Sequence, residues 1–200
     1  VRREATYSLP PEVELNPQDR ALGFVSPSLI DENGSISNID LDSLNGLLPT
    51  EILISNGNGY HSFPFLEFES ANGLGSGALG NVVLNDGKVV GVNLLKDNNG
   101  KWQTGSGYPK YHRISGSVSI DDGTDYLIGE NTSFFRQLQL GQPLLLGPLD
   151  GDAPFDGAKP FYIRKMQADN KAILINYLYE STRGGTAEKY ALYTYGTKLV

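Results

Sequence analysis

Two corners of the same pattern constrain this chain more than any other feature. Residues 55–64 read SNGNGYHSFP and residues 103–109 read QTGSGYP. A Gly-x-Gly-Tyr tetrad therefore occurs twice, as Gly57, Gly59, Tyr60 and as Gly105, Gly107, Tyr108. Glycines two apart permit positive φ and close backbone approach, which neither a helix nor a straight strand calls for. A tyrosine directly after them can lay its ring over the bare glycines and carry its hydroxyl to a backbone partner. These six residues read as structural corners, because turn glycines chiefly serve geometry. A ligand-binding role for the corners is the lesser reading.

The corners belong to a longer repeat. Residues 31–41, DENGSISNIDL, align with residues 84–94, LNDGKVVGVNL, when Gly34 is set against Gly87. The same offset pairs Ile36 with Val89, Ile39 with Val92 and Leu41 with Leu94. A polar-Gly turn followed by alternating β-branched residues is the pattern of a turn entering a strand. The turns lie 53 residues apart and the corners 48, a difference that a loop between strand and corner can absorb. Each copy reads as turn, strand, loop, corner and further strand. After the first corner, FLEFES sets Leu66 and Phe68 against Glu67 and Glu69, as a half-buried strand does. GALGNVVL and KVVGVNLL flank Asn85-Asp86-Gly87 and predict a hairpin.

Composition supports a mainly β protein. Gly 24 and Pro 11 in 200 residues exceed average usage, which implies many turns and many short strands. The absence of cysteine excludes disulfides, thiolate metal sites and cysteine nucleophiles. A net charge of -7, with 16 basic residues scattered among 23 acidic ones, argues against nucleic acid as a partner. Apolar runs such as PLLLG are too short to span a bilayer as helices, so no membrane insertion is expected. The chain opens on Val1 rather than Met, which fits a processed product or a segment of a longer one.

The search for chemistry yields little. His61 and His112 stand at different steps after the corner tyrosines, which argues against a shared acid–base or metal role. No nucleophile elbow, zinc-protease helix, Walker loop or dinucleotide fingerprint is present. GLGSGALG opens a hairpin and lacks the helix N-terminus that a phosphate needs. Glu67 and Glu69 are the nearest pair for glycoside hydrolysis, but they alternate on the outward face, where solubility also wants charge. LDGDAPFDG gathers Asp150, Asp152 and Asp156, weak candidates for a calcium site. Their spacing is not that of the calcium loop, and an acidic surface loop is the better reading. The expectation is no enzyme and no cofactor. The 11 tyrosines, among them Tyr177, Tyr179, Tyr190, Tyr193 and Tyr195, either fill a barrel or face outward toward sugars and partner proteins.

The expected organisation has three parts. Residues 1–28 form an extended N-terminal arm: Pro10, Pro11, Pro17 and Pro27 keep it extended, apart from one helical turn in NPQDRALG, with Asn16 capping and Gly23 ending it. Residues 29–113 form the two-copy Gly-rich β-repeat domain. Residues 114–200 form a small β-barrel-like domain. There ISGSVSI, PLLLG and AEKYALYTYG read as strands, PFYIRKMQADNKAILINYLYE as two strands about a polar turn, and Thr132 or Ser133 as the cap of a short helical turn ended by Gly141. The Asp122-Gly123 pair is a further hairpin turn.

The residues at 73–109 resemble a Gly-rich β repeat of structural proteins of tailed, myovirus-like bacteriophages. In that repeat a Gly-Ser-Gly-Ala segment precedes a strand, an Asn/Asp-Gly hairpin follows and a Gly-Ser-Gly-Tyr-x-x-Pro corner closes. Gly75, Ser76, Gly77 and Ala78 match the opening, Gly87 the hairpin, and Gly105, Ser106, Gly107 and Tyr108 the close. The chain departs from it in the Pro directly after Tyr108 and in the polar insertion KDNNGKWQ. The second half is similar to a small barrel-like module of phage tail and baseplate proteins, on Gly129, Thr132, Ser133, Phe134, Leu138, Leu140 and Gly141. The resemblance implies a non-enzymatic virion component of the tail, baseplate or fibre, assembled with other virion proteins as a symmetric homo- or hetero-oligomer. A carbohydrate-binding adhesin module that takes a host surface glycan, and a capsid decoration protein, stay open as alternatives. The arm, with Tyr7, Leu9, Val13 and Leu15 among its apolar residues, is expected to lie on a neighbouring subunit.

Overall fold

The structure is a computed structural model and describes residues 21–37, 53–120, 126–174 and 189–200. Residues 1–20, Ile39 and Leu41 of the first repeat, the Asp122-Gly123 turn, Tyr177 and Tyr179 lie outside them.

The protein is mainly β. In chain order the strands are β1 (Ala21–Phe24), β2 (Leu53–Asn56), β3 (Phe68–Ser70), β4 (Ser76–Ala78), β5 (Gly80–Asn85), β6 (Lys88–Leu94), β7 (Thr104–Ser106) and β8 (Tyr111–Ile120). They continue with β9 (Tyr126–Glu130), β10 (Leu144–Gly147), β11 (Ile163–Ala168), β12 (Lys171–Leu174), β13 (Tyr190–Tyr195) and β14 (Thr197–Leu199). One short helix, α1 (Phe134–Gln137), and a 3-10 turn at Pro27–Leu29 complete the described elements.

The second half builds a six-stranded antiparallel sheet in the order β10-β13-β8-β9-β12-β11. Its two ends meet. Leu144 of β10 donates to the carbonyl of Phe161 at 2.9 Å, and Phe161, just ahead of β11, donates back at 2.8 Å. That exchange closes the sheet into a small barrel, which removes the unpaired edges an open sheet would present. Ile114, Val118, Leu127, Leu144, Ile163 and Leu192 come from five of its strands and share one core. Phe134 of α1 joins that core and is 0% exposed.

The first half is held by a second core of Val25, Ile30, Ile36, Phe68, Val92, Tyr108 and Leu199. A four-stranded sheet in the order β2-β1-β14-β3 supplies part of it, beside the hairpin β5-β6 and the pair β4-β7. The hairpin turns through Asp86 (φ 49) and Gly87 (φ 69), a two-residue turn with both central residues left-handed. Leu199 arrives from the opposite end of the sequence: β14 lies between β1 and β3, with Gly23↔Leu199 and Leu199↔Phe68 in register. The barrel's last strand, β13, is followed after Gly196 by β14, so the two halves share one continuous chain segment.

Several expectations change. Residues 21–28 are not arm: β1 is flanked on both sides, and Phe24 and Val25 are 4% and 0% exposed. Gly23 ends no helical turn; it lies inside β1, paired across to Leu53 and Leu199, and sheet pairing overrides the local proline pattern. The boundary at 113/114 falls within β8, and β14 belongs to the four-stranded sheet rather than to the barrel. Ser133 stands at the start of α1 without a capping side-chain bond. Asp169 supplies the cap instead, taking the Phe134 N–H on its carbonyl at 2.8 Å and the Phe135 N–H on Oδ1 at 3.2 Å. The helix ends at Gln137, before Gly141, as Leu138 turns extended.

Candidate functional site

The paired glycines of the two corners match in φ. Gly57 and Gly59 have φ of 62 and 79, and Gly105 and Gly107 have φ of 61 and 76. A side chain at these angles is strained, which explains the glycines. In both corners the tyrosine hydroxyl accepts a strand N–H: Tyr60 from Ala21 at 2.9 Å and Tyr108 from Ala78 at 3.3 Å. Ala21 and Ala78 each open an Ala-Leu-Gly run, residues 21–23 and 78–80, and pair with the residue before the corner: Ala21↔Asn56 and Ala78↔Thr104. The repeat therefore begins at Ala21, eight residues before the expected boundary at 29.

The Tyr108 ring lies between two glycines. A Cβ at Gly75 would collide with the ring, and one at Gly105 would stand 2.8 Å from a ring carbon. Gly75 comes from the Gly-Ser-Gly-Ala segment and Gly105 from the closing corner, and β4 and β7 pair Ser76 with Ser106. Burial raises the Tyr108 phenol above its ordinary value, with Glu67 adding to the shift and the Ala78 hydrogen bond opposing it.

The turns and corners are exchanged between the repeats. Tyr108 N–H bonds to the Gly34 carbonyl at 3.0 Å, and Tyr60 N–H to the Gly87 carbonyl at 3.0 Å. The turn of the first copy thus sits on the corner of the second, and the turn of the second on the corner of the first. A third turn copies the Gly34 turn. Asp31 Oδ1 takes the Asn33 and Ser35 N–H groups at 2.8 Å each, and Asp97 Oδ1 takes those of Asn99 and Lys101 at 2.8 and 2.9 Å. These bonds hold the Asp97 carboxyl below the usual aspartate value, the Lys101 bond most and the Asn99 bond next. Only the Gly34 turn is docked: a Cβ there would meet Tyr108 N at 2.5 Å, whereas one at Gly100 meets nothing within 4 Å.

Asp150, Asp152 and Asp156 are all exposed, and no cluster of three metal-binding side chains occurs among the described residues. Their loop is organised by a cation instead. Arg113 donates to the carbonyls of Leu149 at 2.7 Å and Gly151 at 3.2 Å, and the Tyr193 hydroxyl donates to Gly151 at 2.6 Å. His61 is exposed in the loop after the first corner, and His112 is exposed on the barrel strand β8. Glu67 and Glu69 are exposed on the edge strand β3 and the residue before it.

One cleft of about 350 Å³ lies between the four-stranded sheet and the barrel. Its first wall is a row across three strands, Glu69, Lys198 and Phe24, which are register partners. Its second wall is His112 with Thr194 directly opposite. Arg136, Leu138 and Gln142, from α1 and the segment after it, close the third side. Nothing in the sequence pattern could assemble these residues, because they come from five stretches of chain far apart in sequence, the last of them β13 running on into β14.

A second surface stands out. Phe63 and Phe65, shortly after the first corner, are 75% and 102% exposed. Phe65 and Val200 border a shallow hollow of about 70 Å³ with Leu66, Val82 and Val89. No described helix is long and apolar enough to cross a membrane. Set against family models, curated proteins and solved structures, the chain matches none of them.

Proposed function

We propose that this chain is a non-enzymatic structural subunit of a tailed-bacteriophage virion, in the tail, baseplate or fibre apparatus, where it joins neighbouring virion proteins in a symmetric assembly. The observation that carries the assembly role is the pair Phe63 and Phe65, at 75% and 102% exposure beside an apolar hollow. Burying one such ring on a partner is worth roughly 1.5–3 kcal/mol, and contiguous exposed apolar surface is where protein partners dock. The exchanged corners support the same reading, since they clamp the repeats into a stiff module on which such a surface keeps its shape. The virion assignment draws on the resemblance of residues 75–78, 105–108 and 129–141 to phage modules.

The test is a variant carrying Phe63→Ser and Phe65→Ser, followed by immunoblotting of gradient-purified particles. Both side chains are exposed, so the variant keeps its fold. It is expected to be lost from particles that retain the unaltered protein. Equal incorporation of both would contradict this surface as the docking face, and absence of both from every particle would contradict the virion reading itself.

A further inference from the structure

We infer that the cleft between the four-stranded sheet and the barrel binds a sugar that carries a carboxylate. The inference is independent of where the chain sits in a particle, and the Phe63–Phe65 face takes no part in it. Size comes first: about 350 Å³ lies at the lower end of the range for small-molecule sites, roughly 300–1,000 Å³, and suits one or two sugar rings.

Charge comes next. The chain as a whole carries -7, yet Arg136 and Lys198 face the cleft against the single carboxylate of Glu69, a local excess of one positive charge. That balance complements a monoanion. Arg136 presents a planar fork of donors matched to a carboxylate, and charge-assisted bonds of this kind are the stronger ones.

The remaining groups suit a sugar rather than a bare anion. Gln142 is 8% exposed, and its Oε1 accepts the Gln139 N–H at 2.9 Å, which holds the amide and leaves Nε2 as its donor end. Glu69 is an acceptor for the several hydroxyl groups that a sugar carries. Phe24, Ile114 and Leu138 add apolar lining for the C–H face of a pyranose. Donors for a carboxylate, an acceptor for hydroxyls and apolar lining together describe an acidic sugar.

The experiment is a 1H–15N NMR titration of the full chain with glucuronate, glucose and inorganic phosphate in separate arms. Glucuronate is expected to move the Gln142 side-chain amide and the Arg136 and Lys198 backbone signals, with an affinity about tenfold or more above that for glucose. Arg136→Gln should reduce the glucuronate affinity to that for glucose, while the signals of Asn99 and Lys101 in the distant turn stay in place and report an intact fold. Lys198→Gln should weaken it as well. Equal affinity for glucose and glucuronate would overturn the carboxylate assignment. A phosphate response matching that to glucuronate would overturn the sugar. Shifts confined to other surfaces, no shifts, or an unchanged affinity in Arg136→Gln would overturn the site.

Discussion

Tyr108 donates its backbone N–H to the carbonyl oxygen of Gly34 at 3.0 Å, and through that bond the corner of the second repeat holds the turn of the first. The Tyr60–Gly87 bond does the same in the other direction, also at 3.0 Å. Neither copy's turn accepts the backbone N–H of its own corner tyrosine. Each needs the other, which explains physically why the motif is present twice in one chain.

The two Asp-x-Asn-Gly turns allow the value of docking to be measured. Gly34 and Gly100 have similar φ, 70 and 79, but only Gly34 is crowded. Gly100→Ala should cost about 1 kcal/mol, the penalty of a left-handed alanine. Gly34→Ala bears the same penalty plus a clash with Tyr108 N and the Gly107 backbone, and should cost about 3 kcal/mol or more. Urea denaturation of both variants checks this; equal midpoints would mean that the docked turn adds nothing.

Removing the corner hydroxyls separates a buried bond from a half-buried one. Tyr108→Phe leaves the Ala78 N–H without its acceptor in the interior and should cost about 1–3 kcal/mol. Tyr60→Phe releases the Ala21 N–H where the tyrosine is half-buried, and should cost about 1 kcal/mol or less. Because burial raises the Tyr108 phenol, its contribution is complete below the ordinary tyrosine value and is lost as pH rises through the raised one. The alkaline fall in stability should therefore be shallower in Tyr108→Phe than in the unaltered chain.

At the acid end the Asp97 turn behaves in the opposite sense. Its carboxyl is lowered by the Lys101 and Asn99 N–H groups, so its support is present above the ordinary aspartate value and is lost as pH falls through the lowered one. An NMR titration should show the Asn99 and Lys101 amides moving together, with a midpoint below that of an unperturbed aspartate. A midpoint at or above the ordinary value would contradict the hydrogen-bonded turn.

Truncation distinguishes the arm from the fold. Deleting residues 1–20 should leave the thermal transition in place. Deleting residues 1–28 removes β1, with Phe24 and Val25, and should cost more than about 3 kcal/mol or prevent folding. Circular dichroism during heating checks both, and a cooperative, unshifted transition in the longer deletion would contradict the core role of β1.

Local signals in the sequence reached part of this structure. The Asp86-Gly87 hairpin, the positive-φ corners and the buried PLLLG strand follow from residue type and short-range pattern, and those were legible. The role of β1 was not: Pro10, Pro11, Pro17 and Pro27 around it read as an arm, and only pairing with β2 and with β14, far away in sequence, makes it a strand. The Ala-Leu-Gly run that opens both repeats was likewise silent, because its meaning lies in which tyrosine hydroxyl its first N–H reaches. Barrel closure rests on one residue pair, Leu144 with Phe161, and the cleft on side chains from five stretches of chain. Such features arise from tertiary contact, and no window of sequence contains them.

The proposed role makes this chain a built-in part of a tailed phage particle. Electron microscopy of purified particles, with an antibody label raised against the chain, tests it most directly. Label is expected at a fixed, symmetric position on the tail, baseplate or fibres. Label over the head, or particles that carry none, would contradict it.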